Sequence, residues 1–154
     1  MSTIYLDNAA TTKVREEVVS VISSIIKKEY GNPSSTHSYG RSSKSLIESA
    51  RKEIADILNV KSSEIIFTSG GTEGDNMIIR NCVNNLGVSH IITTKIEHHA
   101  VTHTIDDLIR SNNINVSYVK VSKSGQVDLN DLEDILKRSD EKSLVSLMLS
   151  LIHI

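Results

Sequence analysis

Cysteine and proline occur once each in these 154 residues, phenylalanine once and tryptophan not at all, and basic side chains (17) do not outnumber acidic ones (19). Each shortage excludes something. With Cys82 alone no intrachain disulfide forms, and neither a cysteine-rich zinc site nor a secreted disulfide scaffold can be built, so a reducing, cytoplasmic compartment is expected. A formal net charge of −2 lacks the basic surplus that carries sequence-independent binding to phosphate backbones. No nucleic-acid partner is expected, and an acidic substrate must be caught locally. The longest mostly apolar run, residues 144–154, falls well short of the ~20 residues that span a bilayer. The first residues carry neither a basic n-region nor an apolar h-region, so no membrane association and no secretory signal are expected. With so few aromatics the core must come from Ile, Val and Leu, and the length alone suits one domain.

Val14, Val18, Val21, Ile22, Ile25 and Ile26 recur at helical spacing, with Glu16 and Glu17 at the start and Lys27 and Lys28 at the end. The spacing predicts a helix over 13–29, capped by Thr12 and stopped by Gly31 as a left-handed residue ahead of Asn32-Pro33. Leu46, Ala50, Ile54 and Leu58 predict an apolar stripe on a second helix over 39–58. From residue 64 the period changes. Strands are expected at 65–68, 90–93, 115–121 and 144–148, and helices at 73–86, 98–111 and 129–138. Such alternation predicts an α/β fold with a mainly parallel sheet, preceded by an N-terminal helical arm.

In an open α/β sheet, ligands sit at the carboxyl ends of the strands, which directs attention to Ser69-Gly70-Gly71-Thr72-Glu73-Gly74. Its glycines admit close approach, and the N–H groups of the opening helical turn, with Ser and Thr hydroxyls, suit a phosphate or another anion. It is neither a Walker A loop nor Gly-x-Gly-x-x-Gly. The same residues also make an ordinary strand–helix turn with Thr72 as N-cap, and the sequence leaves both readings open. Glu97-His98-His99-Ala100-Val101 follows the next strand and should lie beside that turn. A histidine there can stack on a planar ring or move protons near neutral pH. His99 and His103 share a helix face suited to a metal, but no third ligand is apparent. Residues 7–12 and 31–37 form small, polar loops that suit ligand or subunit approach as well as capping. Cys82 reads as a small core hydrophobe, since nothing near it in sequence activates a thiolate.

Four segments in register carry a family likeness: Leu6-Asp7-Asn8-Ala9-Ala10-Thr11-Thr12, Gly31-Asn32-Pro33-Ser34-Ser35-x-His37, Phe67-Thr68-Ser69-Gly70-Gly71-Thr72-Glu73-Gly74-Asp75-Asn76 and Glu97-His98-His99-Ala100-Val101. From about residue 4 to Met148 the chain resembles the N-terminal part of the pyridoxal-phosphate-dependent cysteine desulfurases of the NifS/IscS type, within the class-V aminotransferases. The resemblance implies a PLP-dependent transferase of fold type I, present here as part of its large domain. It implies that pyridoxal 5'-phosphate is held by its phosphate on the Gly71 and Thr72 N–H groups and the Thr72 hydroxyl. His98 would lie over the pyridine ring as the catalytic histidine, and no metal is implied. Residues 7–12 and 31–37 match loops near the entrance and the dimer interface. The implied reaction converts L-cysteine to L-alanine and an enzyme-bound persulfide, which a sulfur-acceptor or scaffold protein receives for iron–sulfur clusters or thiolation; the parent enzymes are homodimers. A selenocysteine lyase, another class-V PLP enzyme, or a non-catalytic α/β module that binds a phosphorylated ligand would share the same turn and histidine.

The resemblance also resizes the chain. Residues 1–60 are expected to form the arm and helices of the small-domain and dimer region, residues 61–148 the first part of the PLP-binding large domain, and residues 149–154 a non-native tail. The family's cofactor-holding lysine, ring-nitrogen aspartate, carboxylate-binding arginine and nucleophilic cysteine have no matched position here, so the 154-residue chain by itself is expected to be inactive. An unpaired sheet edge and exposed apolar faces are expected as well.

Overall fold

The structure is a computed structural model that describes residues 4–112 and 114–149. Its elements run α1 (Glu16–Lys28), α2 (Ser38–Leu58), a 3₁₀ turn at Ser62–Glu64, α3 (Gly71–Leu86), β1 (His90–Thr93), α4 (His99–Asn112), β2 (Asn115–Tyr118), α5 (Leu129–Arg138) and β3 (Ser143–Val145). They fall into two compact units, Met1–Phe67 and Thr68–Ile154.

In the first unit, the charges of α1 complement its dipole as expected, but the helix starts later than the spacing predicts. Arg15 rather than Thr12 holds the N-cap, without a side-chain bond. Gly31 is not left-handed; Glu29 caps the end in an extended conformation. The glycine is needed for close approach instead, because a Cβ there would sit 2.3 Å from the Tyr39 carbonyl oxygen. His37 caps α2, its Nδ1 accepting from Gly40 N–H at 3.3 Å. The predicted stripe on α2 stays accessible at Leu46, Ile54 and Leu58, whereas Gly40, Ser43 and Ala55 are buried.

The expected strand at 65–68 is absent among the described residues. Its backbone is extended at Ile65, but the Ile65 carbonyl is taken by the Arg51 guanidinium at 2.6 Å. The same guanidinium lies 4.8 Å from the Phe67 ring centre, so one α2 side chain, Arg51, engages both ends of this segment. Three strands, not four, form the sheet among the described residues.

The second unit holds that sheet and the main core. β1 pairs in parallel with β2 on one side and β3 on the other, in the order β2-β1-β3. Successive strand residues face opposite ways. Ile91, Val116 and Leu144 therefore share one face, where Ile79 of α3 and Val101, Ile105 and Leu108 of α4 complete a buried aliphatic cluster. Cys82 packs against this cluster as a small hydrophobe. The opposite face carries His90, whose Nε2 lies 2.8 Å from the Ser117 hydroxyl and whose Nδ1 lies 3.0 Å from those of Ser139 and Ser143. Three hydroxyl–imidazole contacts thus satisfy a buried histidine at the amino end of β1, where an orphaned ring would be unfavourable. α5 follows the predicted bounds, because the Asp128 carboxylate caps Asn130 and Asp131 N–H at 3.0 and 3.1 Å.

α5 is tied to the segment after β2 through Asp131, which accepts from Lys120 Nζ at 2.8 Å and Lys120 N–H at 2.9 Å. The ammonium hydrogen bond, then the N–H, holds the Asp131 carboxyl below the usual carboxylate range, and the same bond raises the Lys120 ammonium. A depressed carboxyl stabilises the fold above its unfolded value of about 4, and the effect is lost as pH falls through the folded value. Asp131→Asn is therefore expected to lower the melting temperature at about pH 7, and the difference from the parent chain is expected to shrink as pH falls below the unfolded value of about 4, as followed by circular dichroism.

Candidate functional site

The turn before α3 and the turn before α4 both open helices beside the sheet. Residues 71–73 precede the first intrahelical bond of α3, in which Gly74 N–H donates to the Gly70 carbonyl at 3.1 Å. Their N–H groups therefore point out of the helix N-terminus, which favours an anion. The Glu73 carboxylate folds back to accept from Ser69 N–H, and that backbone bond holds its carboxyl below the usual range. Gly70, not Thr72, occupies the N-cap, so the Thr72 hydroxyl is not used as a cap. A Cβ added at Gly70 or Gly71 would meet nothing within 4 Å, so the approach to this turn is open.

His98 stands at the N-cap of α4. Its carbonyl accepts from Val101 N–H at 2.9 Å and its Nδ1 accepts from Ala100 N–H at 3.1 Å. A backbone N–H can only donate, so in the neutral ring the proton resides on Nε2. Thr72, Asn76 and Arg80, one turn apart on α3, face His98, His99, Ala100, His103 and Thr104 across a cleft of about 270 Å³. Asn76 spans it, donating from Nδ2 to the Thr72 carbonyl at 2.9 Å and the Ala100 carbonyl at 3.4 Å. Arg80 bonds Asp107 at 2.8 Å and closes the far end.

Thr72 and His98 are therefore brought together as the sequence predicts. Gly71 lies one residue before Thr72 and does not itself line the cleft. The rings of His99 and His103 approach to 5.0 Å, but no group of three or more His, Cys, Asp or Glu able to hold a metal occurs among the described residues. The sequence reading missed Asn76 and Arg80, although their spacing of four and eight from Thr72 places them on the same helix face. The donor set, outward N–H groups, a free-standing Thr hydroxyl and an imidazole across a small cleft, fits a phosphorylated planar ring such as pyridoxal phosphate.

A parallel sheet flanked by helices defines an α/β class of protein. The chain belongs to the class-V aminotransferase family, whose model matches residues 4–150. It is 43% identical over 150 residues to a cysteine desulfurase IscS of Dictyoglomus turgidum, covering 94% of this chain and 36% of that protein. A cysteine desulfurase IscS of Methanosarcina thermophila is 43% identical over 147 residues, with the same coverage of 94% and 36%. The chain thus spans little more than a third of the length of the curated relatives it matches. Among solved structures, a NifS-like protein superposes with a TM-score of 0.83 at 38% identity, over 92% of this chain and 38% of the other. The NifS-like protein of Rickettsia africae gives 0.77 at 39% identity, over 95% and 39%. The fold is that of NifS-like proteins, and the helical arm and parallel sheet are as expected.

Proposed function

We propose that this chain is the N-terminal part of a PLP-dependent cysteine desulfurase and supplies the phosphate cradle and the ring-facing histidine of its cofactor site. The Gly71 and Thr72 N–H groups and the Thr72 hydroxyl hold the phosphate, with the α3 dipole adding to their pull. His98 would face the ring, and its Nε2, the atom not engaged by Ala100, is the one free to hold or release a proton toward the substrate. Bound pyridoxal phosphate supplies an electron sink for the chemistry at the L-cysteine carbon skeleton. The whole protein yields L-alanine and passes the sulfur, as a persulfide, to an acceptor or scaffold protein for iron–sulfur clusters or thiolation. It acts as a homodimer in the cytoplasm, with residues 1–60 as arm and dimer region and residues 61–148 opening the cofactor domain. No helix among the described residues is long and apolar enough to cross a membrane.

The observation that carries this reading is the single cleft shared by Thr72 and His98. Equilibrium titration of the 154-residue chain with pyridoxal phosphate tests it. Saturable binding, competed by inorganic phosphate and weakened about tenfold by Thr72→Ala, is expected for loss of one hydrogen bond to a charged group. Binding that inorganic phosphate does not compete, or no saturable binding, would overturn it.

A further inference from the structure

Beyond Thr93 the backbone ladder between β1 and its neighbour β3 is not simply continued. Ser146 N–H still donates to the Ile92 carbonyl at 2.9 Å, after which β1 turns away toward α4. At that point a side chain takes over. Glu97 Oε1 accepts from Met148 N–H at 2.7 Å and from the buried Thr94 hydroxyl at 2.8 Å. One carboxylate oxygen thus joins the last buried residue of the β1 exit to the β3 exit, at the carboxyl ends of two adjacent parallel strands. The next residue is His98, whose ring is held from the other side by Ala100 N–H.

We propose that Glu97 is a positioning residue: by clamping Thr94 and Met148 through one oxygen, it fixes the turn that presents the His98 ring to the cleft. The proposal rests on the cofactor-site reading of His98. The clamp couples the segment after β3 to the histidine, so the β3 exit helps to set the ring's place. Because both bonds are accepted by a single oxygen, the geometry and not the charge is what the clamp requires. A glutamine amide oxygen has the two lone pairs needed to accept both.

The test uses the 154-residue chain, with amide hydrogen exchange at Met148 and the ¹⁵N signals of the His98 ring read by NMR without cofactor. Glu97→Ala is expected to speed Met148 exchange at least about tenfold and to shift the His98 ring signals, while the amides of β1 stay protected. Glu97→Gln is expected to restore both. Thr94→Val, which keeps the shape and removes one of the two bonds, is expected to give a smaller change of the same kind and serves if the alanine variant does not fold. An unchanged His98 ring in Glu97→Ala or Thr94→Val, or a glutamine variant that behaves like alanine, would overturn the clamp. Pyridoxal phosphate affinity separates this from the parent reading. Glu97→Ala should weaken binding in the native background and have no effect in a His98→Ala background, the signature of action through a shared partner. Full additivity of the two substitutions would overturn the clamp, whereas affinity unchanged by His98→Ala alone would overturn the cofactor role of His98 and leave the NMR result to judge Glu97.

Discussion

Gly71→Asp is expected to fold as the parent does and to lose binding of pyridoxal phosphate by roughly 100-fold. The two halves of this expectation have separate causes. The fold should tolerate the change because a Cβ at Gly71 meets nothing within 4 Å and the position is the first residue of α3. A carboxylate in the first helical turn is favoured by the macrodipole, so a slight gain in stability is expected. Binding should fail because the new charge sits in the turn proposed to hold the phosphate. Like charges about 5 Å apart at an effective dielectric constant near 20 repel by about 3 kcal/mol, which is the origin of the expected loss. Isothermal titration with pyridoxal phosphate, paired with a thermal melt, reads both halves. Undiminished affinity in a folded variant would place the phosphate elsewhere.

Ile91→Ala is expected to destabilise the chain by about 2–5 kcal/mol, a large share of the total for a domain of ordinary stability. Ile91 is fully buried in the central strand, where it meets both helices of the covered face, so truncation removes its transfer free energy and leaves a cavity that neighbours cannot fill. Ile78→Ala on α3 is the control. Its side chain is 56% exposed, and alanine is the better helix former, so a change within about 0.5 kcal/mol is expected. Urea titrations followed by circular dichroism distinguish the two sites. Equal midpoints would mean that the sheet cluster is not the core that holds this unit together.

Where local chemistry is sufficient, the sequence was legible. Asp128 with the apolar positions Leu132, Ile135 and Leu136 defines α5 to its ends, because a cap and a 3.6-residue period are both properties of neighbouring residues. The four-residue β1 was legible for a similar reason: Ile91 and Ile92 lie between turn signals. The 65–68 segment shows the limit. Ile65, Ile66 and Phe67 have strand-forming side chains, but a strand also needs a partner, and Arg51 takes the Ile65 carbonyl instead. Thr12 has the chemistry of an N-cap, yet α1 begins beyond its reach at Glu16. At the site, Gly71, Thr72 and His98 could be named from motifs, and helix periodicity held the signal for Asn76 and Arg80.

By itself, the sequence determined the α/β class, the alternation of strands and helices, and the positions of the two turns that open α3 and α4, since each follows from periodicity, capping and glycine placement within a few residues. Its four motifs also pointed to the class-V aminotransferases, to which the family match over residues 4–150 assigns the chain. Only the tertiary structure decided that Thr72 and His98 share one cleft, that Asn76 bridges it, and that Glu97 bonds Met148, 51 residues along the chain. The first two depend on how α3 packs against α4, and the third on which strands lie side by side. The order β2-β1-β3 sets that adjacency, and no local pattern of residues encodes it.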